Sequence, residues 1–160
     1  NRETATWKGR WGVNYIYGTA AAVVGLLRAG ETLDSRDDQN EPYIRNALNW
    51  LASIQNVDTG GLGETTLSDV DSNKAGVGIS TASQTAWGLL AFLEGGDATS
   101  EQARKAAEYL TTQINTHGAW SDPSSVGTGH PKLVYMQYPS YKYAFPLIAL
   151  ARYAKKTNQR

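Results

Sequence analysis

The sequence predicts an all-α fold, an α/α toroid of alternating inner and outer helices. Three observations predict it. Segments with helical apolar spacing come in two kinds, one wet along a single face and one dry nearly all round. The two kinds alternate, and like segments align with each other at offsets of 58 to 66 residues. A short glutamine–glycine–aromatic phrase recurs between a wet segment and the next dry one. Dry helices inside and wet helices outside is the logic of helical hairpins stacked into a toroid or solenoid.

The elements follow in order. The first dry segment, TAAAVVGLLRAG (19–30), ends on Gly30, which reads as a left-handed stop. The first wet segment, YIRNALNWLASIQ (43–55), sets Ile44, Ala47, Leu48, Leu51 and Ile54 on one face, with Arg45, Asn46 and Asn49 turned away. The second dry segment, TAWGLLAFLEGG (85–96), follows TASQ (81–84), which reads as a capping box, and stops at Gly95–Gly96. It aligns with the first at an offset of 66, Thr19 with Thr85 and Leu27 with Leu93. The second wet segment, QARKAAEYLTTQI (102–114), follows TSEQ (99–102), read as another capping box. Its offset from the first is 59, Arg45 with Arg104 and Trp50 with Tyr109. The third dry segment, YAFPLIALARYA (143–154), aligns with the second at 58, Leu147 with Leu89.

The phrase between them reads Gln113-Ile-Asn-Thr-His-Gly118-Ala-Trp120 in its full form. A second copy has Gln55, Gly60 and Leu62, with leucine in place of the aromatic residue. Ala5-Thr6-Trp7 has the form of the tail of a third. The physical reading is a clasp. The glutamine amide donates to carbonyls at a helix end and lies against the indole, and glycine permits the tight turn that brings the aromatic residue back.

Composition narrows the function. Fifteen Lys and Arg balance 15 Asp and Glu, so no electrostatic case exists for nucleic acid. With no cysteine, disulfides and thiolate chemistry are excluded. The two histidines, His117 and His130, are too few and too scattered for a metal site. Nine Tyr and five Trp against two Phe suit cavity walls and interfaces. The charge-free run from Trp11 to Leu27 is shorter than the roughly 20 apolar residues of a spanning helix. Contact with a membrane surface stays open. GTGHP (127–131) is no phosphate loop, and Ser80 and Ser83 stand in no nucleophile elbow.

A repeated Gln-x(3–6)-Gly-x-Trp phrase at hairpin junctions resembles the signature of the triterpene cyclases. GRWGVNYIYGT (9–19), GLGET (61–65), STASQTAWGLLAFLEGG (80–96), GTG (127–129) and YPSYKYAFPLIALARY (138–153) resemble the C-terminal portion of squalene–hopene cyclases, in order and over nearly the whole chain. The resemblance implies cationic cyclisation of squalene, or a similar polyprenyl hydrocarbon, to a pentacyclic hopanoid. Aromatic faces would line the cavity and stabilise the cations, with no metal or organic cofactor. It also implies a membrane-associated, monotopic enzyme.

Carried over residue by residue, the resemblance implies a substrate-cavity role for Trp11, Tyr17, Gly129, His130, Val134, Tyr138 and Tyr141. Tyr17 would support the acid-bearing region, Tyr138 and Tyr141 would stand near the early-ring cation, and Gly129 would set the backbone near substrate. Trp7, Gln55, Gly60, Leu62, Gln113, Gly118 and Trp120 would be structural members of the repeated phrase. His130 and Val134 stand where the family carries phenylalanines. Altered product choice, loss of activity and local misalignment are the three readings of that change.

The family protonates squalene with a buried Asp-x-Asp-Asp motif, and none occurs here. DSRDD (34–38) and DVDSN (69–73) have the wrong order. No catalytic residue is therefore assigned within 1–160. The expectation is a single domain, the C-terminal part of a larger α/α-barrel cyclase, inactive alone. Its partner would be the remainder of that enzyme or a second copy. The competing readings are a non-catalytic helical module that binds a hydrophobic ligand or partner chain, and a different class II cyclase acting on oxidosqualene or another polyprenyl substrate.

Overall fold

In a computed structural model, the described residues are 4–96, 98–114 and 118–158; His117 lies outside them. Five helices carry the fold: α1 (Tyr15–Arg28), α2 (Tyr43–Ser53), α3 (Ala82–Glu94), α4 (Glu101–Thr112) and α5 (Tyr141–Asn158). Short 3-10 turns at Thr66–Asp69 and Ser72–Lys74 fill the connection between α2 and α3. The fold is helix-dominated, as the periodicity predicts. The structure adds an antiparallel hairpin of β1 (Gly127–His130) and β2 (Val134–Met136), which the periodicity does not predict.

The helices form two layers. Helix α3 packs between α1 and α5, while α2 lies against α1 and α3, and α4 against α3 and α5. The dry segments thus make one layer and the wet segments the other. The core runs along α3, where every residue from Ala82 to Leu93 except Leu90 is buried. Ile44, Leu51, Leu62, Leu110 and Trp120 close on it from the second layer and its connections. Among the described helices, only α3 has dry neighbours on both sides. Helices α1 and α5 are at the edges of their layer, so each keeps an exposed apolar side. Ala21 and Gly25 face out on α1, and Leu147 (57% exposed) and Ile148 (43%) on α5.

The helix ends show which local signals operate. Helix α1 stops as expected: Gly30 takes φ +103°, Gly30 N–H bonds Leu27 O at 3.3 Å, and Glu31 N–H bonds Leu26 O at 3.1 Å. This is the Schellman arrangement, which glycine adopts without a Cβ penalty. Helix α3 begins behind Thr81, whose hydroxyl accepts from Gln84 N–H at 3.1 Å. The box is only half closed, because Gln84 Oε1 takes the Thr81 hydroxyl proton and Thr81 N–H goes to Leu62 O. Helix α4 starts one residue later than TSEQ suggests. Ser100 is the cap, accepting from Ala103 N–H at 3.2 Å, and Glu101 falls in the first turn, where the helix dipole favours it.

Candidate cavity wall at the N-terminal ends of the inner helices

The expected site residues divide into two groups. Tyr17 is in the first turn of α1, Tyr141 opens α5, and Tyr138 stands just ahead of it. These three meet through Trp87 of α3 and Phe145 of α5. Trp87 sits edge-on to Tyr17 (centroids 5.0 Å apart, 66°), Phe145 (5.4 Å, 74°) and Tyr141 (5.9 Å, 79°). Tyr141 in turn meets Phe145 at 5.1 Å and Tyr138 at 4.7 Å. Offset and edge-to-face pairs of this kind are the favoured aromatic geometries. The Trp87 indole N–H is buried with no hydrogen-bond partner among the described residues. Burial, with the neighbouring tyrosines Tyr17 and Tyr138, raises the Tyr141 phenol above its ordinary pKa.

Two glycines let the backbone approach this cluster. Gly12 and Gly127 form an isolated antiparallel bridge. A Cβ on Gly12 would fall 2.3 Å from the Tyr17 ring, and one on Gly127 would fall 2.3 Å from the Tyr138 ring. Only glycine allows both rings to lie on the paired backbone.

Trp11, Gly129, His130 and Val134 are brought to the hairpin beside this cluster, outside its ring contacts. Trp11 is 53% exposed with the Arg10 guanidinium 5.5 Å over its ring, and its carbonyl accepts from Thr128 N–H. Gly129 lies where the pairing shifts register between Thr128 and His130. His130 is exposed, its Nδ1 3.1 Å from the Pro131 carbonyl oxygen. Val134 is paired with His130 and 49% exposed.

The repeated phrase works through different atoms in each copy. Gln55 is buried and donates from Nε2 to Gly60 O (2.8 Å) and to Gln102 O (3.0 Å) in the first turn of α4. Gly60 makes its turn at φ +77° and Gly118 at φ +72°. Leu62 is fully buried, and its N–H donates to Thr85 Oγ1 at 2.9 Å. Trp7 does the same to Thr19 Oγ1 at 3.0 Å, so the aligned threonines have one job. In the full form of the phrase Gln113 is exposed, and the Trp120 indole N–H instead bonds the Leu110 carbonyl at 2.7 Å. That carbonyl belongs to the last turn of α4, where the helix supplies no donor.

Buried polar residues absent from the sequence reading hold the site's frame. Glu64, 1% exposed, accepts from the N–H groups of Asn14 (3.2 Å), Tyr15 (3.2 Å) and Ile16 (2.9 Å), capping α1 from a distance. Asp122 caps α3 in the same way through Ser83 N–H and the Ser83 hydroxyl. Gln84 joins the two connections, donating to Val13 O (3.1 Å) and Glu64 O (3.0 Å). A spacing signal for the caps existed. Glu64 stands two residues after Leu62 and Asp122 two after Trp120, so these two copies are each followed by the acid that caps the preceding dry helix. Trp87 and Phe145 were visible only as apolar positions of dry helices. Among the described residues, no group of three or more His, Cys, Asp or Glu is placed to hold a metal. A separate groove of about 210 Å³ between α2, the end of α3 and the start of α4, floored by Leu48 and Phe92, shares no residue with the cluster.

The dry helices share one layer, with aromatic residues gathered toward its N-terminal end. Residues 1–155 match the family model for the squalene-hopene cyclase C-terminal domain, and the chain belongs to that family. It is 42% identical over 158 residues to the squalene–hopene cyclase of Bradyrhizobium diazoefficiens, covering 97% of this chain and 23% of that protein. It is 46% identical over 155 residues to the squalene–hopene cyclase of Alicyclobacillus acidocaldarius, covering 97% and 24%. Against the squalene-tetrahymanol cyclase of Tetrahymena thermophila it is 45% identical over 155 residues, covering 94% and 23%. The chain spans about a quarter of the length of these curated relatives. No described helix is long and apolar enough to cross a membrane.

Proposed function

We propose that residues 1–160 form one domain, the C-terminal part of a squalene–hopene-type cyclase, and supply one wall of its cyclisation cavity. The cluster of Tyr17, Trp87, Tyr138, Tyr141 and Phe145 carries this reading. Ring faces attract cations at about 0.5–2 kcal/mol each, more where water is excluded. A carbocation on a polyprenyl hydrocarbon such as squalene is the ligand such a wall suits. The protonating acid belongs elsewhere in the enzyme, so the chain alone is inactive. Trp11, Gly129, His130 and Val134 are proposed as the rim of the wall, and exposed His130 adds no ring face to the cluster. The remaining helices of the enzyme would close the toroid and cover the apolar sides of α1 and α5. Association of the whole enzyme with one membrane face belongs to the same proposal.

The test is a chimaera in which this chain replaces the matching quarter of the Bradyrhizobium cyclase. Incubated with squalene, it is expected to give cyclised triterpenes by gas chromatography and mass spectrometry. A folded chimaera that returns only squalene contradicts the proposal.

A further inference from the structure

We infer that Asp69 is a positioning residue: by holding the Tyr135 hydroxyl it fixes the far half of the β1–β2 hairpin, and with it His130 and Val134. Asp69 ends the 3-10 turn Thr66–Asp69 and is only 8% exposed. Its carboxylate gathers groups from three places. Lys8 Nζ, ahead of α1, lies 3.0 Å away, Asn14 Nδ2 at the start of α1 donates at 2.9 Å, and Tyr135 OH in β2 donates at 2.7 Å. The Tyr135 oxygen accepts in turn from Lys132 N–H at 3.0 Å, in a hairpin turn where Lys132 takes φ +70°. One chain of hydrogen bonds therefore runs from the turn through Tyr135 to a buried carboxylate. The Lys8 charge compensates that carboxylate, which makes the site a hard anchor rather than a solvated loop acid.

The hairpin needs such an anchor. Its strands are four and three residues long, and a lone two-stranded ribbon is marginal in water. Gly127 pairs with Met136 and Thr128 with Tyr135, then the register shifts before His130 meets Val134. A bulge of this kind bends the strand and re-aims side chains. The near half is tied down by the Gly12–Gly127 bridge and by Thr128 N–H on Trp11 O at 2.9 Å. His130 and Val134 lie beyond the bulge; Tyr135 pairs with Thr128 just before it, and its hydroxyl, held by Asp69, reaches past the bulge to Lys132 N–H in the turn. The consequence for products rests on the cavity-wall reading above; the positioning itself rests on the geometry alone.

Amide hydrogen exchange on this chain tests it, comparing wild type with Tyr135→Phe, which deletes one hydroxyl, and with Asp69→Asn. The expected result is exchange about tenfold or more faster across 128–136, with α3 and α4 unchanged. Wild-type rates across the hairpin in both variants overturn the inference, and so does equal loss of protection throughout the chain in both. In the chimaera, the same substitutions are expected to shift the ratio of cyclised products severalfold while squalene is still consumed. An unchanged ratio beside a loosened hairpin overturns the consequence drawn for products. A wild-type chimaera without cyclised product overturns the cavity-wall reading instead, and the exchange rates still decide whether Asp69 holds the hairpin.

Discussion

At the scale of single residues, the buried acids separate by what they bind. Among the described residues the Glu64 carboxylate meets backbone N–H donors alone, three at the start of α1. Glu64→Ala leaves those donors dry and unpaired, so a loss of about 2–3 kcal/mol is expected in urea unfolding. Asp69 binds side chains. Burial pushes its carboxyl up, but the Tyr135 hydroxyl, Lys8 and Asn14 outweigh this and hold it below the usual range. A lowered folded value means that Asp69 stabilises the fold above its unfolded pKa of about 3.9. That contribution is lost as pH falls from there through the lower folded value. Asp69→Asn is therefore expected to flatten the acid limb of the stability–pH curve, measured by urea unfolding between pH 2 and 5. Trp120 carries a smaller term. Trp120→Phe keeps an aromatic ring but removes the donor to Leu110, and that lost hydrogen bond should cost about 0.5–1.5 kcal/mol.

At the scale of elements, the helices were legible because their signals are local. Wet and dry periodicity located all five, and the glycine after α1 marked its end. The start of α1 was not legible, since its cap comes from Glu64, 48 residues beyond Ile16. The hairpin was not legible either. Its strands are short and bulged, and its edge pairs with Gly12 rather than with a third regular strand. Of the candidate wall, Tyr17, Tyr138 and Tyr141 were reached through resemblance, but Trp87 and Phe145 look like ordinary core until α3 and α5 are packed together. Gly127 joins hairpin to wall. A methyl group there meets the Tyr138 ring, so Gly127→Ala should cost about 1–3 kcal/mol and displace Tyr138 from Tyr141. The thermal midpoint and the tyrosine ring resonances by NMR would report both.

At the scale of the whole molecule, the layer of α1, α3 and α5 is held at both ends. Glu64 and Asp122 cap the N-terminal ends of α1 and α3. At the other end Arg28 meets Glu94 at 3.0 Å, and Lys156 donates to the Leu93 carbonyl. The aromatic cluster hangs on the capped end, so the frame that stabilises the fold also places the rings. The central claim is that these rings face the reacting hydrocarbon. The most direct measurement is the ratio of fully to partly cyclised products from squalene in the chimaera, with Tyr141→Leu compared against Tyr43→Leu on the outer helix α2. A lost cation–ring contact of 1–2 kcal/mol predicts a change of about tenfold for Tyr141→Leu and none for Tyr43→Leu. Equal ratios in both variants would contradict the account.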